Sequence, residues 1–209
     1  MVSKSLDIQS QNRELQYHSP IQIIEWVAKN TNNPIITTNF RPQTSAILHL
    51  VTQVIPNIPV LWVDSGYNVD PTIEFASKLT EQLKLNLTIY RPEPTPELEQ
   101  FKKTGIPKVD TPEHDRFSQL VKIAPFQQAL TKAEPDAWIT GIRQDQTEFR
   151  KSLDILSYSN QGILKVAPIF YWSKQAQLDY IANHNLPDEH RYFDPTKASD
   201  KRECGIQLL

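Results

Sequence analysis

Apolar residues recur along the chain with two different patterns, one typical of helices and one typical of buried strands. A helical period follows Ser19-Pro20, a cap followed by a first-turn proline, and ends before Asn33-Pro34. Short continuous apolar runs, which are typical of strands buried on both faces, separate the helical stretches. The pattern predicts strands at 35–38, 59–63, 86–90, 137–141 and 162–166. It predicts helices from residue 20, over 43–54, from 70 to 83, over 117–132 with a break at Pro125, and from Ser173 to 181.

Strands that alternate with helices at this spacing indicate βαβ units and a mostly parallel sheet. We therefore expect a Rossmann-like α/β fold with helices on both faces of the sheet. Residues 91–112 are rich in proline and charge and predict a surface excursion rather than a domain boundary. The pattern fades after Leu186, which predicts an α/β domain over 1–186 and a mobile polar tail over 187–209.

Three polar segments follow predicted strands, where parallel sheets bind their ligands. They cover residues 37–43, 64–67 and 141–150. The first leads into the N-terminus of a helix, which suits an anion. The third carries Arg143 and Arg150, followed by Lys151, which together could clamp an anion. These segments predict a phosphorylated or sulfated small molecule as the ligand.

Composition excludes several function classes. The 209 residues include 22 Lys+Arg and 24 Asp+Glu, a net charge of −2, which gives no reason to expect nucleic-acid or membrane binding. No apolar stretch approaches the roughly 20 residues that a membrane helix needs, and the polar N-terminus has no signal-peptide core. We therefore expect a cytoplasmic protein. Neither a Gly-rich dinucleotide loop nor a Walker-type loop occurs.

Cys204 is the only cysteine, which excludes an internal disulfide, a cysteine-held iron–sulfur cluster and a CxxC pair within the chain. Lys201 and Arg202 would favour its thiolate, whereas Glu203 would oppose it. Alternatively, Cys204 is an incidental surface thiol and the charges around it are a solvated run. Residue types alone leave both interpretations open.

Six motifs, in the right order, resemble those of phosphoadenylyl-sulfate (PAPS) reductases. KRECGI at 201–206 resembles the family's KxECGLH signature, and 39–50 resembles its modified PP-loop, an SSFGxQ…LHL segment. PVLWVDSGY at 59–67 is similar to IPVxxxDTGY. KIAP at 122–125 followed by Ala129-Leu130 resembles KVEP…AL. Residues 138–150 resemble WxxGxRRxQxxxR, and KVAPI at 165–169 with Trp172 resembles KVxPIxxW.

The resemblance implies an adenine-nucleotide α-hydrolase-like fold, a nucleotide-binding domain over 1–186, and a homodimer. It implies the assimilatory reduction of PAPS to sulfite and adenosine 3′,5′-bisphosphate, with thioredoxin or glutaredoxin as the reductant. Cys204 would attack the sulfate sulfur and form an S-sulfocysteine. Related adenylyl-sulfate (APS) reductases hold a cluster on cysteine pairs, one just before the Lys122 element. Leu120-Val121 stand there, so the resemblance implies a cluster-free enzyme that takes PAPS.

The same motifs imply the binding residues. The phosphate loop would use Thr38, Asn39, Arg41, Gln43, Thr44 and Ser45, some of which could instead cap the helix. Asp64, Ser65 and Gly66 would border the nucleoside, although Asp64 could simply cap the turn. Phosphate and sulfate would be neutralised by Lys122, Arg143 and Arg150, each of which could instead form a structural ion pair. The remaining candidates are Gly141, Gln146, Lys201 and Arg202.

Four departures from the family pattern leave alternatives open. Arg41-Pro42 replaces a Gly-led pair, Gln144-Asp145 replaces Arg-Glu, Gln207 replaces a histidine, and 192–197 stands in place of a GYxSxGDxHxT segment. A non-catalytic nucleotide- or partner-binding relative would tolerate these changes. A cluster-free reductase that prefers APS is a further alternative. An ATP pyrophosphatase-like enzyme would need loop glycines and an aspartate that 37–42 lacks.

Overall fold

Six strands form one sheet in the computed structural model, which describes residues 7–197 and Ile206. The strand order is β3-β2-β1-β4-β6-β5, and only the β5–β6 pair is antiparallel among the described strands. The mostly parallel α/β fold predicted from the sequence is therefore confirmed. The strands are β1 Pro34–Thr38, β2 Pro59–Val63, β3 Asn86–Tyr90, β4 Ala137–Ile139, β5 Leu156–Tyr158 and β6 Leu164–Val166.

The helices cover both faces of this sheet. They are α1 Ile8–Leu15, α2 Pro20–Asn30, α3 Thr44–Val54, α4 Asp70–Leu83, α5 Pro96–Thr104, α6 Pro112–Ser118, α7 Ala124–Ala133, α8 Glu148–Lys151 and α9 Lys174–Asn183. A π-helical turn, Gln119–Ile123, joins α6 to α7, and a 3₁₀ turn, Gln144–Gln146, precedes α8. Successive strand residues point to opposite faces. Ile36 accordingly packs among α2, α3 and α4, whereas Ile35 packs with Phe126 of α7.

The chain reverses its direction of travel across the sheet between β1 and β4. β1 to β3 progress to one edge, and β4 starts again on the other side of β1. The register Ile36↔Ile139 brings the carboxyl end of β1 beside the carboxyl end of β4. This is the crevice in which open α/β sheets bind their ligands.

Helix α1, which the sequence pattern does not predict, lies against the β5 edge of the sheet. The side chain of Asn12 on α1 donates to the Leu156 carbonyl at 2.9 Å and accepts from the Leu156 N–H at 2.8 Å. Asn12 thus supplies the hydrogen bonds that a further strand would supply to β5. Neither α1 nor β5 shows enough apolar periodicity to be predicted, since both are short.

The predicted surface excursion at 91–112 is on the surface, but it is helical in part. Thr95 caps α5, Pro96 opens it, and Gly105 follows its end. These capping residues act locally, so the helix forms without an apolar face along its length. The predicted break at Pro125 lies slightly earlier, because Pro125 sits in the first turn of α7 and the helix changes type at Gln119–Ile123.

Part of the predicted tail packs against the sheet domain. Residues 188–197, here called the strap, contact the loop after β1 through Asp188 and Tyr192 and contact Lys122 through Asp194. The division at 186/187 stays a prediction. Residues 198–205 and 207–209 lie outside the described residues. Within the described part of the chain, no helix is both long enough and apolar enough to cross a bilayer.

Candidate active site

The loop between β1 and α3 is held by its own side chains. Phe40 and Gln43 adopt positive φ angles of 49° and 64°, and the Phe40 ring is fully buried against Trp62 at 4.9 Å between centroids. Thr38 Oγ1 accepts the Phe40 N–H at 3.1 Å and lies 3.1 Å from Thr44 Oγ1. The buried Phe40 ring therefore anchors a glycine-free loop at the N-terminus of α3.

Polar groups tie this loop to its neighbours. Arg41 donates to the Gly141 carbonyl at 3.4 Å, so the residue that replaces the expected glycine links the ends of β1 and β4. The Gln43 N–H donates to Asp188 of the strap at 2.7 Å, and Asn39 donates to the Tyr192 hydroxyl at 2.8 Å. The loop and the strap thus form one hydrogen-bonded unit.

A cavity at this crevice, here called the inner cavity, has an apolar wall and a charged rim. Its enclosed space has a volume of about 100 Å³ and opens to solvent at the crevice. Its apolar wall is formed by Ile47, Leu61, Val63, Phe126, Ile142 and Ile206, and its predicted residues are Thr38, Asn39, Arg41, Gln43, Thr44, Lys122, Gly141 and Arg150. Such a combination suits a flat apolar group that carries anionic substituents.

Lys122 lines the inner cavity but already has an internal partner. Its Nζ lies 2.5 Å from Asp194 and 3.1 Å from Thr196 Oγ1, and the two charged side chains are 9% and 5% exposed. Burial alone raises the pKa of the Asp194 carboxyl, but the Lys122 charge and hydrogen bonds from Lys122 and Thr196 hold that pKa below its ordinary value. Next to this pair, the buried His114 imidazole lies 3.2 Å from the Pro195 carbonyl.

Arg143 and Arg150 are buried side chains joined through Gln146. The Gln146 Oε1 accepts from the Arg143 N–H at 2.9 Å and also from the Arg150 guanidinium. Arg143 pairs with Asp145 at 3.0 Å and donates to the buried Gln177, whose amide donates to the Gln43 carbonyl at 3.4 Å. Arg143 therefore forms a structural ion pair with Asp145, and it also lines a cavity. Through Gln177 it connects to the loop after β1.

A second cavity, here called the outer cavity, opens beside the inner one. Both are lined by Asn39, Arg41, Pro42, Gln43, Arg150 and Lys197, which form a shared rim. The outer cavity alone adds Arg143, Gln146, Thr147, Lys174, His190, Tyr192, Phe193 and Asp194. Five cationic side chains thus face one carboxylate, which Lys122 already neutralises. The outer cavity is suited to an anion.

The remaining predicted residues lie elsewhere. Asp64 binds Arg91 at 3.0 Å, Asn68 at 2.7 Å and the Gly66 N–H at 3.1 Å, so it caps the turn after β2. Asp64, Ser65 and Gly66 line neither cavity, and Ser45 is buried in α3. Their binding role stays a prediction. Lys201, Arg202 and Cys204 lie outside the described residues.

Sequence reasoning missed Lys174, His190 and Lys197 among the cavity residues. Lys174 could have been noticed in the sequence, because a lysine in the first turn of a helix is unfavourable for the helix dipole and so suggests another role. The strap residues carried none, since 188–197 has no periodic pattern. Among residues 7–197 and Ile206, no group of three or more metal-ligating side chains comes together.

Known proteins match this fold and this chain. The family model for the phosphoadenosine phosphosulfate reductase domain matches residues 33–194. A phosphoadenosine 5′-phosphosulfate reductase of Synechocystis sp. is 37% identical, over 97% of this chain and 91% of its own. PAPS reductase from Candida auris, solved as a phosphate complex, superposes with a TM-score of 0.74 at 23% identity, over 86% of each chain.

A more distant solved structure shares the fold alone. The U34-tRNA thiolase NcsA from Methanococcus maripaludis, solved with its [4Fe-4S] cluster, has a TM-score of 0.59 at 12% identity, over 86% of this chain and 66% of its own. The family match covers most of the chain and includes both loops that line the inner cavity. The resemblance seen in the six sequence motifs is confirmed: the chain belongs to the phosphoadenosine phosphosulfate reductase domain family.

Proposed function

We propose that the protein reduces PAPS to sulfite and adenosine 3′,5′-bisphosphate, using Cys204 as the nucleophile and an external dithiol as the reductant. The observation that carries this proposal is the inner cavity, which combines an apolar wall with a cationic rim at the β1–β4 crevice of a member of this family. The reaction belongs to the assimilatory reduction of sulfate.

The inner cavity offers the two kinds of surface that an adenine nucleotide needs. Leu61, Val63 and Phe126 offer the apolar surface that an adenine ring requires, whereas Arg41 and Arg150 stand at the rim where its charged arms would emerge. The start of α3 adds the dipole of a helix N-terminus. Lys122 contributes less free charge than its residue type suggests, because Asp194 already neutralises it.

The chemistry needs one thiolate on the protein. Cys204 Sγ attacks the sulfate sulfur, the bond from that sulfur to the bridging oxygen breaks, and the nucleotide leaves with the oxygen and the electron pair. Arg41 and Arg150 stabilise the charge that develops on this leaving group. A thiolate of the external dithiol then attacks Cys204 Sγ and expels sulfite, and its second thiol resolves the mixed disulfide.

Cys204 lies outside the described residues, but a residue close to it in sequence is described. Cys204 precedes Ile206 by two residues, and Ile206 lines the inner cavity beside Phe126. In this proposal, the thiol of Cys204 acts at the inner cavity. Lys201 and Arg202 favour the thiolate and draw the tail towards the anionic substrate.

Thioredoxin or glutaredoxin is the proposed reductant, and a homodimer in the cytoplasm is the proposed state. We also propose that the enzyme holds no iron–sulfur cluster. The fold does not decide this point, since the NcsA thiolase carries a cluster on a similar fold. The cysteine count supports it, because a chain with one cysteine lacks the four thiolates that bind such a cluster.

The test is a sulfite-release assay with PAPS or APS and a thioredoxin system, in which the wild type is compared with Cys204→Ser. We expect sulfite from PAPS with the wild type and a loss of at least about 1,000-fold in the variant, because this chain has no other thiol that could accept the sulfo group. Calorimetric binding of adenosine 3′,5′-bisphosphate should be unchanged in Cys204→Ser, which shows that the site is intact.

Other outcomes would assign a different function. Sulfite formed faster from APS would keep the chemistry and reverse the substrate preference. Binding of the bisphosphate without sulfite from either substrate would indicate a non-catalytic nucleotide-binding relative. A mass increase of one SO₃ group on the wild type, absent from Cys204→Ser, would identify the covalent intermediate directly.

A further inference from the structure

His114 is a buried titratable side chain that the proposed reaction does not use. It is 1% exposed, it lines neither cavity, and its ring packs against Phe117 at 6.1 Å between centroids. Its Nε2 lies 3.2 Å from the Pro195 carbonyl, and Nε2 must donate because a carbonyl only accepts. Its Nδ1 is buried and has no hydrogen-bond partner among the described residues.

An imidazole with one unpartnered nitrogen is unfavourable in these apolar surroundings. Phe117 belongs to a cluster with Leu98 and Val121. A buried polar atom without a hydrogen bond costs free energy, and an apolar ring of similar size would fill the same space without that cost. What a histidine adds at position 114 is therefore the hydrogen bond from Nε2 to the strap.

The helical segment that carries His114 also carries Lys122, and both side chains donate to the same end of the strap. His114 lies in α6, where the Thr111 cap accepts its backbone N–H at 3.3 Å, and Lys122 lies in the π-helical turn. Residues seven apart share a face of an α-helix, but His114 and Lys122 are eight apart. The wider π turn takes up the extra residue and so brings both side chains to one face.

Together these two side chains hold three consecutive strap residues. Lys122 binds Asp194 and Thr196, and His114 binds the Pro195 that lies between them. Pro195 and Thr196 are buried, and Asp194 accepts the Thr196 N–H at 3.1 Å. The turn at 194–196 is thus fixed from two sides, by a charge and by a neutral hydrogen bond.

We propose that His114 is a positioning residue for the reduction, because it fixes the turn from which the chain continues to Cys204. Cys204 follows this turn by eight residues. A displacement of the turn changes the place from which the thiol approaches the substrate, and the rate of attack falls steeply when reacting groups are misplaced. The nucleotide loop keeps its own contacts with Asp188 and Tyr192, so His114 acts on the rate rather than on nucleotide affinity. The proposal rests on the proposed function for the role of Cys204.

The test separates the rate of the reaction from binding and stability. His114→Phe keeps an aromatic ring beside Phe117 and removes the donor. With PAPS in a single turnover, we expect S-sulfocysteine to form on Cys204 about tenfold more slowly, and kcat for sulfite to fall with it. The Kd of adenosine 3′,5′-bisphosphate, measured by calorimetry, should change less than about twofold. The midpoint of urea unfolding should stay close to that of the wild type, since the lost hydrogen bond is offset by removal of the unpartnered nitrogen.

Two further variants control for the substitution itself. His114→Gln is the rescue variant, because its side-chain amide can donate from nearly the position of Nε2, and it should restore kcat to within about threefold of the wild type. His18→Phe is the matched control. The ring of His18 also bonds a backbone carbonyl, that of Glu14 at 3.1 Å, but it lines neither cavity. This control should change neither kcat nor the Kd of the bisphosphate.

A second measurement needs no turnover. Cys204 is the only cysteine, so the rate of its alkylation by iodoacetamide reports on the placement of this thiol. Saturating bisphosphate should slow alkylation of the wild type at least about fivefold, and in His114→Phe this protection should fall below about twofold. If the wild type makes no sulfite but shows this difference, the proposed reaction is overturned and the placement of Cys204 by His114 stands. Equal alkylation of the wild type with and without the nucleotide would overturn the inference.

Other results would also overturn it. An unchanged kcat in His114→Phe would show that the hydrogen bond to Pro195 does not act on the reaction. A Kd of the bisphosphate that rises by the factor by which kcat/KM falls would assign His114 to the shape of the nucleotide site. A loss of kcat that His114→Gln does not recover, together with a lower urea midpoint, would show that His114 only stabilises the fold.

Discussion

The inner and outer cavities share a rim, but they hold their charges in opposite ways. The Lys122–Asp194 pair, here called the inner pair, lies between the two cavities, since Lys122 lines the inner one and Asp194 the outer one. It is buried, with side chains 9% and 5% exposed, and it joins the π-helical turn to the strap. Lys174 and His190 of the outer cavity are exposed. A buried charge that loses its partner destabilises the fold, whereas an exposed charge can be removed at little cost.

This difference separates two kinds of charge around one ligand. The inner pair holds the strap in place and so contributes to the shape of the site. The exposed Lys174 side chain of the outer cavity contributes little to stability. Arg143 lies between the two classes, since it lines the outer cavity but is buried against Asp145 and Gln177. Substitutions at each cavity should therefore change different measurements.

The largest effect is expected at the inner pair. Lys122→Met leaves the Asp194 carboxylate buried without its partner, and we expect the free energy of unfolding to fall by about 3 kcal/mol in urea denaturation. The double variant Lys122→Met/Asp194→Leu removes both charges and should regain most of that loss. Nucleotide binding should not recover with it, because Lys122 lines the inner cavity.

An exposed pair on α5 gives the control for this prediction. Lys102 and Glu99 lie 2.7 Å apart, with side chains 54% and 51% exposed. Lys102→Met should reduce the free energy of unfolding by less than about 0.5 kcal/mol. Similar losses in Lys122→Met and Lys102→Met would contradict the distinction between buried and exposed charges.

The Lys122–Asp194 pair also predicts a smaller effect, one that depends on pH. The pKa of Asp194 is below its ordinary value in the folded state, so the ionised carboxyl stabilises the fold above the ordinary aspartate pKa. That contribution is lost as the pH falls through the folded pKa. Asp194→Asn should therefore be less stable than the wild type by about 2 kcal/mol at pH 7, and the gap should narrow below about pH 4. A gap that stays constant down to pH 2 would show that the charge of Asp194 is not involved.

Much of the inner cavity could be predicted from the sequence. Its wall follows from continuous apolar strands, and its loops follow from the rule that ligands bind at the carboxyl ends of parallel strands. Thr38, Arg41 and Gly141 line it as expected. The same rule predicts Asp64 beside it. In the structure, Arg91, which directly follows the neighbouring strand β3, forms an ion pair with the Asp64 carboxylate, and the binding role of Asp64 stays a prediction.

The outer cavity could not be predicted in the same way. His190, Tyr192 and Lys197 lie on the strap, which has no regular structure and hence no pattern to read. The strap's position depends on long-range contacts, among them those of Asp188 with Gln43, Tyr192 with Asn39, and Asp194 with Lys122. The short helices α5 and α8 could not be predicted for a related reason, since local caps rather than apolar periodicity determine where they form.

The smallest effect is expected at Asp188, where the strap meets the loop that both cavities share. Its carboxylate accepts the Gln43 N–H at 2.7 Å, close to where an anionic nucleotide would bind. In Asp188→Asn, the amide oxygen can still accept that N–H, but the negative charge is gone. We expect adenosine 3′,5′-bisphosphate to bind about twofold to threefold more tightly at low salt, with the gain lost above about 0.3 M salt because of screening. Glu81 lies near the C-terminal end of α4, and hence at the amino ends of the strands, opposite the crevice. Glu81→Gln should leave the affinity for the bisphosphate unchanged. Weaker binding in Asp188→Asn would show that the carboxylate positions the loop, and the strap would then belong with the inner pair as part of the shape of the site.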